Sequence, residues 1–337
     1  MEDRKLILDI QDLSIQYRVE GGTVHAVENL NLALGYGENL GFVGETGAGK
    51  TTTALGIMRL VPDPPGRITS GRILFEGADL LRKTEDEMRS IRGGKIAMIF
   101  QDPMTSLNPV MTVDKQIAEM VLLHNDVTER QALDRAVEML ELVGIRSERA
   151  RDYPHQFSGG MKQRVVIAIA LACNPILLIA DEPTTALDVT IQAQVLELMR
   201  ELRRKINTSL VMITHDLGIV AEMCDKVAIM YAGRVVEYAT TEALYNRPVH
   251  PYTEGLFNSI PDIDRDEEEL KVIQGLMPDP TDLPSGCPFH PRCPYAVDSC
   301  SREAPGMVEI EPGHLVACPV RTEHRLNSVG WKGGAGR

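Results

Sequence analysis

The sequence predicts an α/β fold, and three observations carry the prediction. Short apolar runs at 39–43, 95–100, 176–180 and 209–214 read as strands; the run 176–180 is continuously apolar, as in a parallel strand buried on both faces. Helical periodicity alternates with these runs, at 51–58, 113–152 and 165–172. Third, Gly44-Glu45-Thr46-Gly47-Ala48-Gly49-Lys50-Thr51 fills every fixed position of the phosphate-binding pattern G-x-x-x-x-G-K-[ST], between a strand and a helix that begins Thr51-Thr52. Its glycines let backbone N–H groups turn inward around phosphates, and the helix N-terminus adds partial positive charge. Lys50 supplies a point charge, and the Thr51 hydroxyl is placed for Mg²⁺.

The remaining elements follow in chain order. Residues 6–17 alternate and carry β-branched side chains, which predicts one or two strands; Tyr17, ahead of the turn Gly21-Gly22, reads by itself as an edge-strand aromatic. A second strand covers 27–34, and Gly35, Gly37 and Glu38 turn the chain into the phosphate-loop strand. A short strand is expected over 71–77. The strand at 95–100 stops at Gln101, before a loop over 102–109. Apolar residues spaced by three and four over 113–152 predict an all-helical insert whose stripes are core. Phe157-Ser158-Gly159-Gly160-Met161 then opens a helix; Ser before Gly-Gly is an ordinary N-cap, and the same start leaves N–H groups for an anion. The run 176–180 ends in Asp181-Glu182, two acids at the carboxyl end of a buried strand, where ligands bind in open α/β sheets. The run 209–214 ends in His215-Asp216; a lone His at such a place is more often structural than catalytic. Strands at 226–231 and 234–238 flank Ala232-Gly233, a hairpin signature.

Composition narrows the function. With 35 Lys and Arg against 48 Asp and Glu, the net charge of −13 argues against a sequence-independent nucleic-acid binder. Residues Met1-Glu2-Asp3-Arg4-Lys5 lead straight into a strand-like run, so no signal peptide is expected. The longest apolar tract, 165–180, is broken by Asn174-Pro175 and is too short to span a bilayer. These features predict a soluble cytoplasmic protein whose membrane role, if any, runs through a partner. Four of the six cysteines crowd between 287 and 318, spaced Cys287-x5-Cys293-x6-Cys300-x17-Cys318. In a reducing compartment that grouping suggests a metal before disulfides. Three of the four precede Pro, a step found in ferredoxin-type ligation, and the gaps are wider than those of most structural zinc sites. Cys173 and Cys224 read as packed thiols.

Over about residues 5–240 the chain resembles the ATPase subunits of ABC transporters, with the motifs in that family's order. Tyr17 matches the aromatic that stacks on adenine, Gly44 to Thr51 the Walker A loop, and Gln101 the Q-loop glutamine. Ser158-Gly159-Gly160 matches the signature core, with Phe157 in place of Leu and Met161 in place of Gln. Asp181 and Glu182 match the Walker B aspartate and catalytic glutamate, Ala186-Leu187-Asp188 the D-loop, and His215 the switch histidine. The signature departures, the segments 98–109 and 180–192, and a tail with His250-Pro251-Tyr252-Thr253 and four cysteines are similar to the D-type subunit of dipeptide/oligopeptide importers.

That resemblance implies a P-loop NTPase (RecA-like) ABC core at 1–240 with a helical subdomain at about 103–160. It implies an importer-type extension with a four-Cys cluster at 241–330, which the Pro-rich sequence predicts to be irregular, and a flexible tail at 331–337. Thr51 would hold Mg²⁺ directly, and Asp181 and Gln101 through water. Glu182 would polarise the attacking water and His215 would bridge it to the γ-phosphate. Residues 157–161 would close over ATP held by a second, paralogous ATPase, and two permeases plus a solute-binding protein would complete an importer at the cytoplasmic face of the membrane. The cysteines would carry a [4Fe–4S] cluster, with zinc as the alternative. A soluble ABC ATPase acting on nucleic acid or the ribosome is the alternative function; the modest insert and single cassette weigh against it.

Overall fold

The computed structural model describes residues 5–185, 187–259 and 272–322. The acidic run at 262–269, read as a solvated linker or helix start, and the tail at 331–337 lie outside them.

Two sheets face each other across the phosphate-loop helix. The smaller is antiparallel, in the order β2–β1–β4–β5, from β1 (Leu6–Val19), β2 (Gly22–Gly35), β4 (Gly66–Phe75) and β5 (Ala78–Asp79). The larger has eight strands. Its parallel centre comprises β3 (Asn39–Val43), β6 (Ile96–Ile99), β7 (Leu177–Asp181), β8 (Ser209–Ile213) and β9 (Lys226–Tyr231). The hairpin strand β10 (Arg234–Thr240) then pairs antiparallel with β9. Tyr17 lies in β1, which runs between β2 and β4, so the edge-strand reading is corrected.

The continuous apolar runs are explained by two-sided burial. Along β7, Leu177 and Ile179 join the core beneath the small sheet, with Leu40, Phe42 and α1 (Lys50–Ile57). Their neighbours Leu178 and Ala180 join the core on the opposite face, so positions 177–180 are all apolar and the first polar side chain, Asp181, comes at the strand end. Helix α2 (Glu85–Ile91) starts at a Thr84–Glu87 capping box. The helical insert comprises α3 (Pro103–Ser106), α4 (Val113–His124) and α5 (Glu129–Leu142), the last opened by a second box, Thr128–Gln131. Its apolar stripe, including Val113, Ile117, Ala136 and Leu140, packs into the same core as α6 (Gly159–Leu171) and α7 (Val189–Ile206). Helix α8 (Leu217–Met223) follows β8.

The extension is more ordered than its Pro-rich sequence suggests. Helices α9 (Thr241–Asn246) and α10 (Pro251–Asn258) follow β10, and strands β11 (Val308–Glu311) and β12 (His314–Val316) return to it. Strand β12 pairs with β10, Glu237 opposite Val316 and Tyr238 opposite Leu315, and β11 closes the edge. The expectation of an irregular region is therefore corrected: the extension completes the main sheet. Tyr252 and Phe289, both almost fully buried, enter the helical-side core.

Candidate functional site

The phosphate loop leaves β3 and enters α1 as the pattern requires. A Cβ on Gly44 would lie 2.2 Å from the Met230 carbonyl oxygen, and one on Gly49, at φ +102°, would lie 2.3 Å from that of Ala26. Neither position accepts a side chain. The Lys50 ammonium donates to the carbonyls of Gly44 (2.6 Å) and Glu45 (3.1 Å), curling the loop around it. Burial lowers the pKa of Lys50, opposed by the charges of Glu182, Asp181 and Glu45. Thr46 and Gly47 are exposed at the tip, Ala48 is buried beneath it, and Thr52 is half-buried in the first helical turn.

Strand β7 delivers the two acids to this loop. The Thr51 hydroxyl donates to Asp181 Oδ1 at 3.2 Å, across 130 residues of sequence. Asp181 is buried, and that burial raises its pKa, as does the Glu182 charge. A buried carboxylate beside a threonine hydroxyl and a lysine is a donor set that suits a Mg²⁺-bound polyphosphate. Glu182 sits at φ +45°, an uncommon conformation for a side-chain-bearing residue that aims it away from the strand. Its carboxylate accepts from Gln101 Nε2 (2.8 Å) and Thr185 Oγ1 (3.0 Å), and His215 Nδ1 lies 3.3 Å away. Partial burial pushes Glu182 upward. Hydrogen bonds from His215 and Thr185, with the charges of His215 and Lys50, outweigh it and hold the carboxyl below its ordinary value. The structure thus gathers Gln101, Asp181, Glu182 and His215 beside the loop; Thr185 joins them although the sequence reading passed it over.

The other expected residues are placed as follows. Tyr17 is half-buried, its ring laid over Gly66 of β4. Ser158 precedes α6, and its side chain makes no capping hydrogen bond; it and Gly159 are exposed, while Gly160 approaches Ile191 of α7. Phe157 faces inward, buried under the Arg149 guanidinium at 4.4 Å, and Met161 packs against the same core. Asp188 caps α7 by accepting from the Ile191 N–H at 3.0 Å, Leu187 is half-buried beside it, and Ala186 lies outside the described residues.

Two further residues reach the loop from the extension. The Tyr252 hydroxyl accepts the Glu45 N–H at 2.9 Å, and Arg292 forks onto the Glu45 carboxylate at 3.0 and 3.2 Å. No sequence pattern marks this pair, which spans 247 residues. Next to Arg292, Cys287, Cys293, Cys300 and Cys318 line one cavity of about 560 Å³ with Phe289 and His290. All four thiols are free; burial raises Cys287 to about 11, and the other three cysteines add to that rise. Among the described residues no three His, Cys, Asp or Glu side chains converge closely enough to hold a single metal ion. No disulfide joins these cysteines, and among the described residues neither a cluster site nor a zinc site is assembled.

Comparison with known proteins agrees with this geometry. Residues 27–185 match the family described as ABC transporter, and residues 236–300 match the oligopeptide/dipeptide transporter C-terminal region. The chain is 52% identical over 313 residues to the oligopeptide transport ATP-binding protein OppD of Bacillus subtilis (strain 168), covering 92% of this chain and 87% of that one. It is 49% identical to the dipeptide transport ATP-binding protein DppD of the same organism (96% and 97% covered) and 49% to OppD of Escherichia coli (strain K12; 93% and 92%). Among solved structures, the ATP-binding cassette MJ0796 in a dimeric post-hydrolysis state with ADP and Pi superposes with a TM-score of 0.63 at 26% identity, covering 69% of this chain and 98% of that one. The nucleic-acid alternative finds no support among these relatives. Among the described residues no helix is long and apolar enough to cross a membrane. A phosphate loop facing two strand-end acids, joined to an extension of the importer type, makes this chain a member of the ABC transporter family, in the branch of oligopeptide and dipeptide transport ATP-binding subunits.

Proposed function

We propose that this chain is the ATP-hydrolysing subunit that powers import of dipeptides or oligopeptides through partner permeases at the cytoplasmic face of the membrane. The observation that carries the reading is the pairing of Thr51 with Asp181 beside a Glu182 already held by Gln101, Thr185 and His215. Lys50 and the loop N–H groups would bind the β- and γ-phosphates, and Tyr17 would stack on the base. Glu182, kept ionised, would orient and accept a proton from the attacking water. His215, largely exposed, would bridge Glu182 to the γ-phosphate. Thr51, with Asp181 and Gln101, would hold Mg²⁺, which when bound neutralises phosphate charge. The exposed Ser158 and Gly159 would complete the ATP site of a second, paralogous subunit, with Leu187 and Asp188 at the same seam. Movement of the helical insert and the loop after Gln101 would then drive two permeases supplied by a solute-binding protein.

Reconstitution tests this reading. The intact complex in vesicles should take up labelled peptide with ATP, and Lys50→Ala in this chain should abolish uptake; undiminished uptake would overturn it.

The four cysteines favour a [4Fe–4S] cluster over a single zinc. Three of the four precede Pro and their gaps are wider than those of most structural zinc sites, and the four line one cavity. Iron and sulfide analysis of anaerobically purified protein checks this assignment; stoichiometric zinc without sulfide would reverse it.

A further inference from the structure

Glu45, the second residue of the phosphate loop, is held at three of its groups. Its N–H donates to Tyr252, its carbonyl accepts from Lys50 and from the Ala48 N–H, and its carboxylate takes both arms of Arg292. Arg292 is itself fixed. Its Nε donates to the Gln274 carbonyl at 3.0 Å, Nη1 reaches the Tyr231 hydroxyl at 3.3 Å, and its side chain is 7% exposed. Tyr231, Tyr252 and Phe289 form a triangle of rings at 4.6 to 5.5 Å behind it. A planar fork on a carboxylate gives both position and charge neutralisation, which a lysine does not reproduce. The need for neutralisation is local: the Glu45 carboxylate lies within electrostatic range of Lys50, the cation expected to meet the triphosphate.

We propose that Arg292 is a positioning residue for nucleotide binding, through which the C-terminal extension neutralises and orients Glu45 and so sets the affinity of the phosphate loop for ATP. The proposal rests on reading Gly44 to Thr51 as the ATP site. Without Arg292 the Glu45 carboxylate stands uncompensated beside Lys50 and opposes an incoming polyanion. Glutamine at position 45 keeps the shape and removes that charge, so it relieves the loss.

The test is a fluorescent-ATP titration of the full chain, with thermal unfolding of each variant as a check on folding. Arg292→Ala should weaken ATP binding about tenfold. The double variant Arg292→Ala with Glu45→Gln should return to within about threefold of the wild type. Arg292→Lys should fall between, and its combination with Glu45→Gln should also recover; this second pair decides the matter if Arg292→Ala does not fold. In the assembled transporter, KM for ATP should rise with kcat unchanged. Wild-type affinity in Arg292→Ala, or no recovery on adding Glu45→Gln, would overturn the proposal. Lys50→Ala serves as the reference: unaltered ATP affinity there would mean that the loop is not the ATP site, a failure distinct from that of Arg292.

Discussion

His314 Nε2 meets Glu237 Oε1 at 2.8 Å, with the two side chains 3% and 0% exposed. The same carboxylate accepts the backbone N–H groups of Val249 (2.9 Å) and His250 (2.8 Å). One buried acid in β10 thus gathers the start of α10 and strand β12 onto the main sheet. Removing His314 takes one of three hydrogen bonds from this buried carboxylate, which costs about 1–3 kcal/mol. His314→Ala should therefore lower stability by roughly that amount in urea unfolding, and should expose the region after Thr240 to protease. A loss below about 1 kcal/mol would show that β12 docks without the pair.

Acid should loosen the same junction through His250. Burial pushes this imidazole down from the ordinary 6.5 to about 4, partly opposed by the Glu237 charge. Its Nδ1 accepts the Tyr252 N–H at 3.1 Å, which a protonated ring cannot do. Between about 4 and 6.5 the unfolded chain binds the proton that the folded chain refuses. The stabilisation is thus complete above pH 6.5 and falls as the pH drops, by at most about 1.4 kcal/mol per unit. Unfolding measured at pH 7 and pH 4.5 should show this loss. His250→Asn, which keeps a side-chain acceptor near the Tyr252 N–H, should flatten it.

Glu182→Gln should leave ATP affinity near wild type and reduce hydrolysis by about 10²-fold or more in the assembled transporter. The substitution keeps the contacts to Gln101 and Thr185 in reach while removing the proton acceptor. Retained turnover would take Glu182 out of the base role.

Ser158 carries a prediction that depends on assembly. Its hydroxyl caps nothing in its own helix and faces outward. Ser158→Arg should abolish ATP hydrolysis when the partner ATPase is present and leave ATP binding by the isolated chain unchanged. Equal damage to the isolated chain would assign the serine a role in cis.

Much of this molecule was legible in the sequence because the signals are local. Gly44, Gly49, Lys50 and Thr51 announce themselves by spacing, and the central parallel strands appear as mainly apolar runs because both their faces are buried. Asp181 and Glu182 stand out because they end such a run; Gln101 and His215 end runs too, but only the family resemblance gives them a role. The order hidden in the extension was not legible. Strand β12 is three residues long, and nothing in its composition says that β10 has a free edge waiting for it.

The chain's own order of residues therefore dictated the α/β fold, the phosphate loop and the strand-end acids, since hydrophobic periodicity and glycine geometry act over a few residues. Three-dimensional packing settled which distant groups those local pieces would meet. Gln101 on Glu182, His314 on Glu237 and Arg292 on Glu45 are pairings of charge and hydrogen bond whose partners become neighbours only after the sheet has closed, so no spacing along the chain encodes them.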